Sequence, residues 1–157
     1  MRVQFRLDWR GLHGFGHWAR VCERGLGLAA RRGADPLLVE LFAYLHDSQR
    51  ESDGDDRGHG ERAAAYAAAL NTSFFDLGVT DLDRLCRAIR FHSDGLMEAD
   101  STLQTCWDAD RLDLGRVGHQ PSSRLLSPEA AALVDRALSE TVFYDPTQDP
   151  TEPWRGG

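Results

Sequence analysis

Lysine is absent from the 157 residues; all 18 basic side chains are arginine. That absence excludes Schiff-base chemistry on an ε-amino group and the P-loop lysine that grips a nucleotide's phosphates. Cysteine is scarce, and Cys22, Cys86 and Cys106 stand isolated, an odd set with no C-x-x-C spacing. No disulfide framework follows from it, and a reducing cytoplasm is the expected location. Long apolar runs are missing too. None approaches the ~18 residues a membrane span needs, and the opening stretch is broken by Arg2, Arg6, Asp8 and Arg10 without an apolar h-region. Positive charge is in deficit, with 25 acids against 18 bases for a net charge of −7. Sequence-independent nucleic-acid binding is therefore not expected, and neither is a membrane partner. What remains is a chain 41% hydrophobic and 27% charged, the composition of one ordinary globular domain.

The apolar pattern is helical. From about Leu12 to Arg31 the residues Leu12, Phe15, Trp18, Ala19, Cys22, Leu26, Ala29 and Ala30 recur at steps of three and four, the stripe of a buried helix face. Gly33 closes that helix. Asp35-Pro36 opens the next with an aspartate N-cap and proline in the first turn. Leu37 to Leu45 is almost wholly apolar and predicts a central helix buried all round. The segment Ser48 to Gly58 is a polar loop; its Asp53, Asp55 and Asp56 lack the glycine and glutamate placement of an EF-hand. Helices are expected again over Glu61 to Leu70, Asp81 to Phe91, within Thr102 to Leu114, and from Ser127-Pro128 to about Thr141. No useful length alternates with period two, so the fold class is all-α. A single domain over 1–143 and an extended or disordered tail over 144–157 are expected, the latter from Pro146, Pro150, Pro153 and the closing glycines. Phe143 and Trp154 leave open a homo-oligomer docked through that tail.

Chemistry concentrates in the histidines and acids. His46 and Asp47 directly follow the apolar run Leu41-Phe42-Ala43-Tyr44-Leu45. An ionised aspartate at the end of a buried helix is costly, and that end of the helix dipole disfavours a negative charge. A divalent cation shared by imidazole and carboxylate resolves both problems. Further donors are available in His17, within His17-Trp18-Ala19-Arg20-Val21, and in Asp110, within Asp108-Ala109-Asp110-Arg111-Leu112.

The order His17, His46-Asp47, Asp110 resembles the HD-domain superfamily of metal-dependent phosphohydrolases. Three pieces carry the likeness: H-x-x-R-V at His17, the doublet ending an apolar helix, and A-D-R-L at Ala109 to Leu112. The resemblance covers roughly Leu12 to Leu114. It implies a compact helical bundle of about five to seven helices and a metal held by His17, His46, Asp47 and Asp110, with Asp110 preferred over Asp108. Members that bind two metals add two histidines in the order H…HD…H…H…D, and His59 and His92 occupy those places. One or two ions per chain are therefore implied, with Mn, Ni, Co, Zn, Mg and Fe not distinguished.

The function implied is hydrolysis of a phosphate ester, a nucleotide or another small phosphorylated molecule, by a metal-activated water that Asp47 orients. Arg50, Arg20 and His13 are the expected substrate contacts; His13 would lie one helical turn before His17. His119, in a Gly-His-Gln-Pro loop, is expected to be incidental. Two other functions stay open: a two-metal iron oxygenase of the same fold, and a metal-binding sensor domain without catalysis. Taken singly, each residue also has a plainer reading. His17 would be a core histidine, Asp110 a partner of Arg111 or Arg116, His59 a helix start, and His92 a helix-end imidazole bonded to a loop carbonyl. The order of the motifs favours the metal.

Overall fold

A computed structural model describes residues 2–141. They form seven α-helices: α1 (Phe15–Arg32), α2 (Pro36–Leu45), α3 (His59–Leu70), α4 (Val79–Arg90), α5 (Ser101–Arg111), α6 (Pro128–Ala131) and α7 (Val134–Ser139). Two short 3-10 turns, Leu114–Val117 and Ser123–Leu125, join α5 to α6. Among the described residues the fold is all-α, and a lone bridge between Asn71 and Phe75 stands outside the helices. No helix among the described residues is long and apolar enough to cross a membrane. The expected 143/144 boundary, Phe143 and Trp154 lie outside the described residues.

Helix α1 buries His17, Trp18, Val21, Cys22, Gly25, Leu28 and Ala29, one face at helical spacing. It starts at Phe15, three residues later than the apolar period suggests. Residues 8–14 make a tight turn instead, in which Gly11 donates to Asp8 O (2.9 Å), Gly14 to Gly11 O (3.0 Å) and Phe15 to Trp9 O (2.9 Å). His13 therefore sits in that turn rather than one helical turn before His17.

Asp35 caps α2, accepting from the amides of Leu37 and Leu38. Leu38, Val39, Phe42, Ala43 and Leu45 are buried on it, and α2 packs against α1, α5 and α4. Each such side chain contributes about 1.5–3 kcal/mol of burial, so the helix carrying the His46-Asp47 doublet is anchored along its length. Gly25 lets α1 approach both neighbours: a Cβ there would lie 2.6 Å from Val39 Cγ1 and 3.3 Å from Ala109 Cβ. Trp107 of α5, also buried, donates its indole N–H to Ala88 O of α4 at 2.9 Å.

A second, smaller core joins Leu28 and Leu112 to Leu126, Ala130, Val134 and Ala137. The last helix of the sequence reading is two helices, because Leu133 donates to Ala130 O (2.9 Å) and interrupts the helical ladder. Asp108 anchors this region: it accepts from Ser127 Oγ at 2.5 Å and from Gln104 Nε2 at 2.7 Å. It is a structural acid, turned toward α6.

Candidate metal centre

Helix ends position most of the donors. His46 is the C-cap of α2 and Asp47 follows it; His59 is the first residue of α3; His92 lies just beyond α4. His17 projects from α1 and Asp110 from the last turn of α5. The α3–α4 approach depends on Gly60, where a Cβ would lie 2.5 Å from Arg90 O and 3.1 Å from Ile89 O. That close contact brings His59 against His92.

His17, His46 and Asp47 form one group able to hold a metal ion, His46, His92 and Asp110 a second, and Asp47, His59 and His92 a third; within each group the donor atoms lie within 4.8 Å of one another. The first two run together through His46. His17 Nε2 lies 3.0 Å from His46 Nε2, 3.4 Å from Asp110 Oδ1 and 3.6 Å from Asp47 Oδ2. The third meets the other oxygen of Asp47, with Oδ1 at 3.4 Å from His59 Nε2 and 3.5 Å from His92 Nε2. One carboxylate thus divides its two oxygens between two donor sets.

Backbone and carboxylate acceptors decide which nitrogens face inward. His46 Nδ1 donates to Phe42 O and Ala43 O at 3.2 and 3.1 Å, and His92 Nδ1 to Ile89 O at 2.7 Å. His59 Nδ1 donates to Asp56 O, and His17 Nδ1 to Asp113 Oδ2 at 2.8 Å. His17 and His46 are thereby locked with Nε2 as a free lone pair aimed into the cluster; His59 and His92 also turn Nε2 inward, 2.9 Å from each other, and His59 Nε2 accepts from Arg50 Nη1 at 3.2 Å. Two such lone pairs 3.0 Å apart, as in His17 and His46, repel unless a cation lies between them. Two nitrogens bound to one ion at ~2.1 Å each, near a right angle, show this spacing.

Electrostatics agree. Burial pushes the His46 pKa down to about 3, against the pull of Asp47 and Asp110, so it is neutral at physiological pH. Burial also resists the charge of Asp47 and Asp110, yet the surrounding histidines hold both carboxyls well below the usual range. Neutral imidazole and ionised carboxylate are the protonation states a metal requires. In the other set, burial lowers the pKa of His59, with the neighbouring His92 adding to the effect. Burial would lower His92 as well, but its contact with Asp47 raises it.

The cluster floors a cavity of about 280 Å³ that His13, Asp47, Arg50, His92, Asp110, Arg111 and Arg116 help to line. His13 donates from Nδ1 to Asp47 Oδ2 at 2.9 Å, so it reaches the site from the turn before α1. Arg50 directs Nη1 at Asp47 and His59. Arg20, expected among the substrate contacts, lies instead behind His17, with its Nε and Nη2 on the two oxygens of Asp113 at 2.8 and 2.9 Å. His119 is exposed.

Asp113 is the functional acid that sequence reasoning passed over. It is buried, accepts from His17, Arg20 and Arg24, and fixes the tautomer and orientation of His17. Burial opposes its charge, but His17 and Arg20 hold its carboxyl well below the usual range. The available signal was on α1, where His17, Arg20 and Arg24 follow at helical spacing and call for a buried acid.

No family model matches the chain, and no curated protein does. A solved structure does: a protein described as a predicted HD superfamily hydrolase from an uncultured Thermotogales bacterium. It is 28% identical over 88% of this chain and 80% of its own, with a TM-score of 0.66. The chain has the fold of the HD-domain superfamily. Its site fits a metal-dependent hydrolase.

Proposed function

We propose that the chain is a metal-dependent phosphohydrolase that cleaves a small phosphate ester, a nucleotide or a compound of similar size. The observation that carries this reading is the inward-facing set of His17, His46, Asp47 and Asp110, two imidazole lone pairs within 3.7 Å of each other and of both carboxylates, the two carboxylates lining a cavity. A divalent cation held there supplies Lewis acidity, generating a nucleophile from water near neutral pH and polarising a phosphoryl oxygen.

The protein's own groups do the rest. Asp47, which lines the cavity, accepts a hydrogen bond from the attacking water and aligns it, while His13 on its Oδ2 keeps the carboxylate from rotating. Arg50, which also lines the cavity, sets its guanidinium charge beside the same carboxylate, where it attracts a phosphoryl oxygen. A volume of about 280 Å³ is at the small end of ligand cavities, which suits a small molecule over a polymer. His59 and His92 complete the wall beside Asp47.

The test is phosphate release from nucleoside monophosphates and aryl phosphate mono- and diesters by protein loaded with Mn, Co, Ni, Zn, Mg or Fe in turn. Turnover should need metal and fall at least about 10³-fold in Asp47→Asn, the loss expected when water alignment and a ligand go together. Dioxygen consumption by the iron form without phosphate release would establish the oxygenase instead. Tight metal binding with neither reaction would leave a sensor domain.

A further inference from the structure

We propose that Arg50 is the resident cation of the Asp47, His59 and His92 donor set, so that this chain binds one divalent ion, at His17, His46, Asp47 and Asp110, and not two. The inference rests on the metal-hydrolase reading above and settles its stoichiometry.

The two donor sets share Asp47 but differ in what already neutralises them. Among the described residues, the ionic partners of Asp110 and of Asp47 Oδ2 are histidines alone. The guanidinium groups nearest His17, those of Arg20 and Arg24, are engaged on Asp113 at its far nitrogen. Among the described residues no guanidinium pairs with Asp110 or with Asp47 Oδ2. The other set contains Arg50, whose Nη1 lies 3.2 Å from His59 Nε2 and 3.4 Å from Asp47 Oδ1. Those are two of the three donor atoms a second metal would need, and the third, His92 Nε2, lies 2.9 Å from the His59 Nε2 that Arg50 holds. His59 Nδ1 already donates to Asp56 O, so its Nε2 has one lone pair to give and it accepts from Arg50.

Nor is this guanidinium free to swing aside. Its Nε donates to Ser52 O at 3.3 Å and its Nη2 to Gly54 O at 3.1 Å, and its side chain is 11% exposed. The loop between the doublet and His59 wraps around it, and its position three residues after Asp47 gives it the reach. Arginine does not release its proton in proteins. A divalent ion placed on His59 and Asp47 Oδ1 would meet a fixed positive charge at contact distance in a buried, weakly screened site. Arg50 thus provides beside the metal, through directed N–H groups, the positive charge that a second ion would otherwise bring to a phosphoryl oxygen.

The experiment strips the full-length protein with chelator, reloads it with excess Mn²⁺, removes unbound ion, and reads metal per chain by elemental analysis and electron paramagnetic resonance. Wild type should hold one manganese with the spectrum of an isolated ion, and His59→Ala should leave that count unchanged. Arg50→Ala should take up a second manganese and show a spin-coupled pair; Arg50→Lys, which keeps the charge, should stay at one. Two ions in wild type, one of them lost in His59→Ala, would overturn the proposal even if Arg50→Ala fails to fold. A folded Arg50→Ala that still binds one ion would overturn it as well. No manganese in wild type is a different failure, because it removes the metal-hydrolase reading itself.

Discussion

Asp113 shows how much of this site is carried by a residue that need not touch substrate or metal. It is 3% exposed and holds three cationic or donor groups, His17, Arg20 and Arg24. Removing one partner of a buried ionic group costs about 3–5 kcal/mol because the others stay buried without compensation. Replacing an outer carboxylate behind a ligand histidine typically weakens metal binding about 10–100-fold. Asp113→Asn should therefore lower unfolding free energy in urea by about 3–5 kcal/mol and Mn²⁺ affinity by about one to two orders of magnitude. Lost stability with unchanged affinity would reduce Asp113 to a structural role. The pH dependence has a definite sign. Its folded pKa is depressed, so its contribution is present above the unfolded value of about 3.9 and is lost as pH falls below that. The stability gap between wild type and Asp113→Asn should thus narrow below about pH 4. The spacing of His17, Arg20 and Arg24 calls for an acid, but with 93 residues between Arg20 and Asp113 nothing local says which acid answers.

At the scale of elements, the sequence was legible where chemistry is local. The Asp35-Pro36 start of α2, the apolar stripe of α1 and the alanine-rich α3 are each written in consecutive residues, and the helices form there. The HD motif pieces were legible for the same reason, since each is a short string on one helix end. Boundaries set by tertiary contact were not. The glycine turn ahead of α1 closes on Asp8 and Trp9 carbonyls, and the α6–α7 break lies inside a stretch whose period continues unbroken. Gly60 is the clearest case. Inside a helix, alanine normally exceeds glycine by about 1 kcal/mol, yet here a Cβ would lie 2.5 Å from Arg90 O, a backbone atom that cannot turn away. Overpacking costs about 1–3 kcal/mol and would force α3 off the end of α4. Gly60→Ala should therefore lower the melting temperature by several degrees, at about 2–4 °C per kcal/mol. It should also separate His59 from His92. The opposite sign, a more stable variant, would show that the two helices have slack at this contact.

For the whole molecule, the metal centre is where the architecture converges. The clustered side chains come from α1, the end of α2, the start of α3, the end of α4 and the last turn of α5, and an ion on His17, His46, Asp47 and Asp110 ties α1, α2 and α5 together. Without the ion, the same convergence is a liability. His17 and His46 aim lone pairs at each other, and beside them stand the ionised carboxylates of Asp47, buried, and Asp110, half-buried. Ion binding should therefore stabilise the native state as a unit, because the unfolded chain has no such site to offer. At a free Mn²⁺ concentration of about 100 times Kd, mass action adds about 2.7 kcal/mol, a rise of about 5–10 °C for a domain of this size. A chelator should reverse it. His46→Ala should abolish the rise, since it removes a donor that burial keeps neutral down to about pH 3. His119→Ala, at an exposed loop position, should leave it intact. A melting temperature indifferent to both manganese and chelator would mean that the cluster is held by its hydrogen bonds alone, with the extra proton it then needs residing on His92, whose pKa the Asp47 contact raises against burial.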